Sequence, residues 1–338
     1  MEEFFLLLSL LIILFSAELF TNGIEHLGEK LTLSQAVVGS ILAAIGTALP
    51  ETIVPLVAIL FYHGKSGAHI GVGAILGAPF MLITMGMFTI GLGLIMGSLL
   101  KKRKFQLEIE INTLKRDLFF FLISFSLAIF VPHFLPNTKQ LHYLIAIFLL
   151  INYFIYVFST FKATSVETEA DAPLYIFRIF SVKNPPFKLD VLSGLLQTVL
   201  AVIIMIKGAH LFVESLEKLS FKLGLDPLLF SLILAPIATE LPEKFNSFLW
   251  SMKGKDILAF GNMSGAMVFQ STFPVSVGLL FTSWNVKGLA LVSALITLSL
   301  AAIYFLFAKF RKNIPPYLLF FSGLSYFVYI FLVIYSIK

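Results

Sequence analysis

Ala44-Ile45-Gly46-Thr47-Ala48-Leu49-Pro50-Glu51 and, much further along the chain, Pro236-Ile237-Ala238-Thr239-Glu240-Leu241-Pro242-Glu243-Lys244 are two copies of one segment. Extending the match outward at a constant offset of 192 aligns Ala17–Glu51 with Ala209–Glu243 without a gap. Glu25 then falls on Glu217, Lys30 on Lys222, Thr47 on Thr239, Pro50 on Pro242 and Glu51 on Glu243. Chance similarity between two apolar helices does not bring polar residues and prolines into register, so the chain is an internal duplication. Shortly afterwards Gly73-Ala74-Ile75-Leu76-Gly77-Ala78 pairs with Gly261-Asn262-Met263-Ser264-Gly265-Ala266.

The surroundings of both copies are apolar. Of 338 residues 58% are hydrophobic and 13% charged, with a mean hydropathy of +0.95, values that exclude a soluble domain with a polar surface. Apolar stretches long enough to cross a hydrocarbon core of about 30 Å as helices recur along the whole chain. They are placed at 3–24, 34–62, 68–99, 117–135, 140–161, 191–216, 226–250, 257–284, 288–308 and 316–337. Ten-residue stretches of alternating hydrophobicity, the mark of a membrane barrel, are absent. Met1-Glu2-Glu3 opens an apolar run with no basic region or small-residue cleavage site, which reads as a retained span and not a signal peptide. There is no cysteine, which removes disulfides, thiolate metal sites and cysteine nucleophiles.

The predicted fold class is therefore an all-α polytopic membrane protein of about ten transmembrane helices in two inverted five-helix repeats. Residues 1–162 form the first repeat, 163–190 a cytoplasmic linker and 191–338 the second. Five spans per half is an odd number, so the second copy must enter the bilayer upside down. A pI near 9.2 would suit nucleic acid, but the Lys and Arg residues are dispersed over loops, so no nucleic-acid partner is expected. They cluster instead on one side: Lys30, Lys101, Lys102, Arg103, Lys104, Lys115, Arg116, Lys162, Arg178, Lys183, Lys188, Lys253, Lys255, Lys309, Arg311 and Lys312 against Lys65, Lys139, Lys218, Lys222, Lys287 and Lys338. That bias predicts an inner-membrane protein with both termini outside.

Both copies put a carboxylate near the middle of a span, directly after a proline. Proline supplies no backbone donor, so the carbonyls of Gly46 and Ala238 lose a partner; slight unwinding would free those of Thr47 and Thr239 as well. An ionised carboxylate at such depth costs about 2.5 to 3.5 kcal/mol or more unless compensated, and two on symmetry-related helices repel. A cation or a proton resolves both problems. Two bidentate glutamates and two carbonyls would supply roughly six of the six to eight oxygens that Ca2+ takes. Glycines at 71, 73 and 77, and at 261 and 265, would let a neighbouring helix approach these segments closely.

These residues resemble a known family. The paired Thr-x-Leu-Pro-Glu segments, each followed by Gly-x-x-x-Gly, are similar to the two α-repeats of the calcium/cation antiporter superfamily, which contains the sodium/calcium exchangers. The resemblance implies Ca2+ or another divalent cation held by Glu51, Glu243 and the backbone carbonyls of Thr47 and Thr239, exported by alternating access against H+ or Na+. It implies no cofactor and no enzymatic activity. Its partners would be small inorganic cations and the lipid bilayer. The chain departs from the family at Ala48 and Glu240, where serine is usual, and at Ala78-Pro79 and Ala266-Met267, which replace oxygen-bearing residues. These losses remove ligands for Na+ and favour H+ as counter-ion. Ser247, Asn262, Ser264 and Gln270 read first as helix–helix contacts, Ser247 and Asn262 being secondary candidates for the ion path. Glu240 and Lys244, four apart on one helix face, either neutralise each other or leave Lys244 to point at Glu243 and weaken the site. If the losses removed the site altogether, the chain would be a ligand-depleted, non-transporting sensor or scaffold of the same fold. Asp-rich diphosphate motifs, His-Glu-x-x-His and the serine elbow of membrane enzymes are not found.

Overall fold

A computed structural model describes residues 1–30, 43–62, 65–135, 138–161, 174–179 and 186–337. The predicted start of the second span, residues 34–42, and most of the predicted linker lie outside the described residues. The helices are α1 (Glu2–Lys30), α2 (Ala43–Phe61), α3 (Lys65–Met81), α4 (Met87–Leu99), α5 (Ile111–Phe134), α6 (Lys139–Phe161) and α7 (Tyr175–Ile179). The second half contributes α8 (Phe187–Leu223), α9 (Pro227–Thr239), α10 (Leu241–Met252), α11 (Asp256–Gln270), α12 (Phe273–Phe281), α13 (Gly288–Leu306) and α14 (Pro316–Ile337). Eight helical stretches among the described residues are long and apolar enough to cross a membrane, and two shorter ones, Ala48–Phe61 and Pro227–Ile237, stand at the second and seventh predicted spans.

Spans three, seven and eight differ from simple rods. A π-helical turn at Leu82–Gly86 joins α3 to α4. The seventh span breaks at Glu240, between α9 and α10, and the eighth breaks after Gln270, between α11 and α12. The sixth, α8, is far longer than the 191–216 expected, running 37 residues. Local chemistry sets the ends. Asp226 accepts hydrogen bonds from the amides of Leu228 and Leu229 at 2.9 and 3.2 Å, with Pro227 in the first turn of α9. Gly224, at φ 66°, ends α8 in the left-handed conformation that only glycine adopts freely. Glu110, in the loop before α5, caps that helix by accepting from the Thr113 amide, which holds its carboxyl below the usual range.

The helices sort their faces by solvent. On α1, Phe4, Leu7, Leu11 and Phe15 are exposed at helical spacing, whereas Leu6, Ser9, Ile13, Ala17 and Phe20 are buried. With lipid as the solvent, an exposed phenylalanine stripe carries no penalty and the protein-facing side is selected for fit. The buried side therefore carries small residues. A Cβ on Gly73 would stand 2.2 Å from the Leu228 carbonyl oxygen and one on Gly77 2.1 Å from that of Leu232, so α3 lies backbone to backbone on α9. Gly93 and Gly97 bring α4 onto α10 in the same way, with the carbonyls of Phe248 and Met252 at 2.5 and 2.4 Å. One bent helix thus follows both pieces of the broken one. Among the described residues nothing lies within 4 Å of a Cβ on Gly261, and one on Gly265 meets the Tyr156 hydroxyl at 3.5 Å; the positions equivalent to Leu228 and Leu232, residues 36 and 40, lie outside the described residues.

Packing repeats across the two halves. α1 packs on α8 and α5 on α13, each pair joining equivalent helices; α4 packs on α14 as α12 packs on α6, and α3 on α13 as α11 on α5. The buried apolar residues form two clusters. One draws on α1, α8, the second half of α2, Ile70 and Ala74 of α3 and Ala235 of α9; the other holds most of the remaining helices.

Candidate cation site

Six acidic residues are buried among those described: Glu51, Asp117, Asp190, Glu240, Glu243 and Asp256. A buried carboxylate needs a counter-charge, and four of them have one. Asp117 pairs with Arg116 at 2.9 Å, Asp190 with Lys30 at 2.8 Å, Asp256 with Arg103 at 2.5 Å and Glu240 with Lys244 at 3.1 Å. Glu51 and Glu243, each 5% exposed, have no ion pair among the described residues. They are the two acids that the duplicated motif singles out.

Glu51 lies in the middle of α2 and accepts a hydrogen bond from the side-chain amide of Gln270, at the end of α11, across 219 positions of sequence. Its other oxygen, Oε1, has no partner among the described residues, and neither has Oε2 of Glu243 nor the amide oxygen of Gln270. Glu243 stands in the first turn of α10, just past the break at Glu240. The acid of the first repeat is thus in direct contact with the second, and Thr239, four residues before Glu243, lies on the cavity beside it. A small cavity between the halves is lined by Glu51 and Thr239, with Val54, Pro55, Ala74, Ala78 and Ala235 as apolar walls.

The other expected residues fall around this pair. Thr239 lies at the end of α9, and its hydroxyl donates to the Ala235 carbonyl at 3.2 Å, leaving its own carbonyl as the group it can offer. Thr47 lies within α2, but its side chain lies outside the described residues. Asn262 donates to the Glu243 carbonyl at 3.2 Å and to the Ser247 hydroxyl at 3.1 Å, while Ser247 donates to the Ala259 carbonyl at 3.4 Å. Asn262 and Ser247 therefore fasten α10 to α11 and hold the turn that carries Glu243. Of the two arrangements open to Lys244, the structure has the first: its ammonium pairs with Glu240 and donates to the Pro236 carbonyl at 3.1 Å.

Two local expectations need correction. Unwinding at the motif is confined to the second copy; α2 runs as a continuous helix from Ala43 through Pro50 to Phe61. The second copy carries prolines on both sides of its break, Pro236 and Pro242, where the first has Ala44 and Pro50. Gln270 is more than a helix contact, because the contact it makes is with Glu51 itself. Sequence reasoning also passed over Asp117, whose carboxylate accepts from Ser264 at 2.7 Å and ties α5 to the glycine segment of α11. No three acidic or histidine side chains among the described residues converge as a metal cluster, so a cation here would need carbonyl and amide oxygens in addition to the two glutamates.

The profile of the family described as sodium/calcium exchanger protein matches residues 3–162 and 193–338. The uncharacterized membrane protein MJ0091 of Methanocaldococcus jannaschii is 24% identical over 308 residues, 91% of this chain and 90% of that protein. A protein of Alkalimonas amylolytica named as an antiporter, CaxA, is 23% identical over 274 residues, 81% of this chain and 79% of its own. Among solved structures, the H+/Ca2+ exchanger CAX superposes with a TM-score of 0.68 at 19% identity, covering 99% of this chain and 88% of CAX. The sodium-calcium exchanger NCX_Mj, soaked with Na+ and Sr2+, gives a TM-score of 0.59 at 21% identity and 97% coverage of both chains. These likenesses establish the polytopic fold built from inverted repeats.

Proposed function

This chain belongs to the sodium/calcium exchanger protein family, whose members are secondary transporters and not enzymes, and from that premise we propose that it moves Ca2+ or a similar divalent cation against H+ or Na+ by alternating access. One observation carries the proposal. Among the six buried acids of the described residues, only Glu51 and Glu243 have no ion pair with a described residue, and they come from equivalent positions of the two repeats. Leaving a buried charged oxygen without a partner costs several kcal/mol, so this place in the molecule is stable only with positive charge supplied from outside. A divalent ion would take oxygens from both glutamates, from the Thr47 and Thr239 carbonyls and from the Gln270 amide.

The counter-ion that fits the site best is H+. A proton needs only the carboxylates, whereas Na+ needs several further oxygens, and Ala48, Ala78, Pro79 and Met267 have none in their side chains. That CAX is an H+/Ca2+ exchanger supports this choice, and that NCX_Mj is a sodium-calcium exchanger keeps Na+ as the competing one. Of the residues that favour the non-transporting reading, Ala48, Pro79 and Met267 stand as they are, whereas Lys244 is turned to Glu240 and leaves the glutamate pair without a cation.

The protein is a multi-pass membrane protein; its placement in the inner membrane with both termini outside is part of the proposal. The test is Ca2+ flux in proteoliposomes under separately imposed pH and Na+ gradients. A pH gradient is expected to drive uptake in the wild type, and Glu51→Gln or Glu243→Gln to reduce it at least about a hundredfold, ~2.7 kcal/mol. Undiminished flux in either variant would refute the assignment.

A further inference from the structure

After Asp256 the chain contains no acidic residue, yet Lys309, Arg311 and Lys312 stand together where α13 ends. All three are exposed, and none has an ion pair among the described residues. The turn that carries them packs on α5, whose two acids at this end are engaged elsewhere: Glu110 caps the Thr113 amide, and Asp117 pairs with Arg116 and accepts from Ser264. Lys115 of α5, one turn before Phe119, adds a further positive charge. At about 1.5 Å per residue, Lys309 stands roughly 30 Å along the helix from Gly288, the thickness of the hydrocarbon core, so the basic turn lies at headgroup level.

Aromatic residues and backbone shape the same place. Lys309 Nζ lies 6.0 Å from the centre of the Phe305 ring and 5.5 Å from that of Phe310, which holds the ammonium over apolar rings instead of leaving it to swing through water. Phe305 lies 6.4 Å, centre to centre, from Phe119 of α5, and Phe119 and Leu306 are both exposed, so an apolar surface runs across the junction of α5 and α13 below the charges. Phe307–Arg311 is a π-helical turn that buries Ala308 alone, unlike the turn at Leu82–Gly86, which is buried between helices. Lys312 follows at φ 50°, a left-handed conformation that is costly for any residue but glycine. Membrane topology requires only that such a loop be basic; it requires neither a strained lysine nor one stacked on two rings. We propose that this turn is a binding site for the headgroup phosphate of an anionic phospholipid, with Lys309, Arg311 and Lys312 around the phosphate and an acyl chain on Phe119 and Leu306. In the orientation proposed above, the lipid belongs to the cytoplasmic leaflet. The inference does not rest on the transport reading.

The experiment is native mass spectrometry of the purified full-length chain titrated with phosphatidylglycerol or with phosphatidylcholine. The wild type is expected to hold phosphatidylglycerol at least about tenfold more tightly; equal affinity for the two lipids overturns the inference. Each basic residue near an anionic surface contributes roughly fivefold, so Lys309→Gln/Arg311→Gln/Lys312→Gln is expected to lose about a hundredfold in phosphatidylglycerol affinity. Lys101→Gln/Lys102→Gln/Lys104→Gln removes the same charge from another basic loop and is expected to lose less than about threefold. Equal losses in the two triple variants would mean diffuse attraction without a site and overturn the proposal. Should the first triple variant not fold, Arg311→Gln decides, with a loss of about fivefold expected and an unchanged affinity contradicting the site. Inorganic phosphate in large excess is expected to leave the bound lipid in place; its displacement would show that the turn takes free phosphate and overturn the lipid assignment.

Discussion

Gln270 and Lys244 are the two donors that surround the acids, and they act in opposite ways. Gln270 gives Glu51 a hydrogen bond without giving it a charge, so it orients the carboxylate and leaves its need for a cation in place. Lys244 gives a charge, but gives it to Glu240. Gln270→Leu is accordingly expected to raise the half-saturating Ca2+ concentration about tenfold, ~1.4 kcal/mol, with the folded state retained, as measured by the concentration dependence of flux. Glu240→Gln should be harsher, because it leaves Lys244 buried without its partner; a loss of about 3 to 5 kcal/mol is expected in denaturation of the purified protein. That Glu51 and Glu243 belong together was legible in the sequence, since a proline followed by glutamate inside an apolar span occurs twice in register; that both are buried without an ion pair among the described residues comes from the structure. The i, i+4 spacing of Glu240 and Lys244 announced a pair but left its direction open, which only coordinates decide. Gln270 and Asp117 gave no signal: one amide at the end of an apolar helix and one acid beside an arginine look like ordinary contacts until their partners, 219 and 147 positions away, are known.

The same proline does different things in two helices. Pro50 is accommodated within α2, whereas Pro242, with Pro236 before it, accompanies a full break at Glu240. Repeat alignment predicted symmetric elements, and the asymmetry comes from the residues that differ between copies, Ala44 against Pro236 and Ala48 against Glu240. Glycine marks where helices meet most closely. Gly73 and Gly77 are pressed against the backbone of α9, where no side chain can move aside. Gly77→Val is therefore expected to lose more than about 3 kcal/mol or fail to yield folded protein. An unchanged thermal melt for Gly77→Val would show that α3 and α9 do not approach as described. Helix existence and order were readable because apolar runs in lipid have a required length. Unwinding beside Thr239 was readable from Pro242, but the break after Gln270 was not, because a kinked span keeps the same composition as a straight one.

At the scale of the molecule, the acid of the first repeat lies at the edge of one apolar cluster, where residues of both halves line a cavity. The cavity lined by Glu51 and Thr239 has Val54, Ala74 and Ala235 from the cluster around α1 and α8 on its walls. A place where the two halves meet across a cavity is where one could shift against the other, which is the motion that alternating access requires. Orientation follows from the basic loops: since the chain has no cysteine, Lys287→Cys is expected to react with a membrane-impermeant maleimide on intact cells and Lys312→Cys only after permeabilisation. The reverse pattern would invert the topology without disturbing the site. The most direct test of the central claim is calorimetric titration of Ca2+ into the purified wild type, Glu51→Gln and Glu243→Gln proteins. One Ca2+ per chain is predicted for the wild type, with affinity lowered about a hundredfold or more in each variant; a variant that binds Ca2+ as tightly as the wild type would contradict the account.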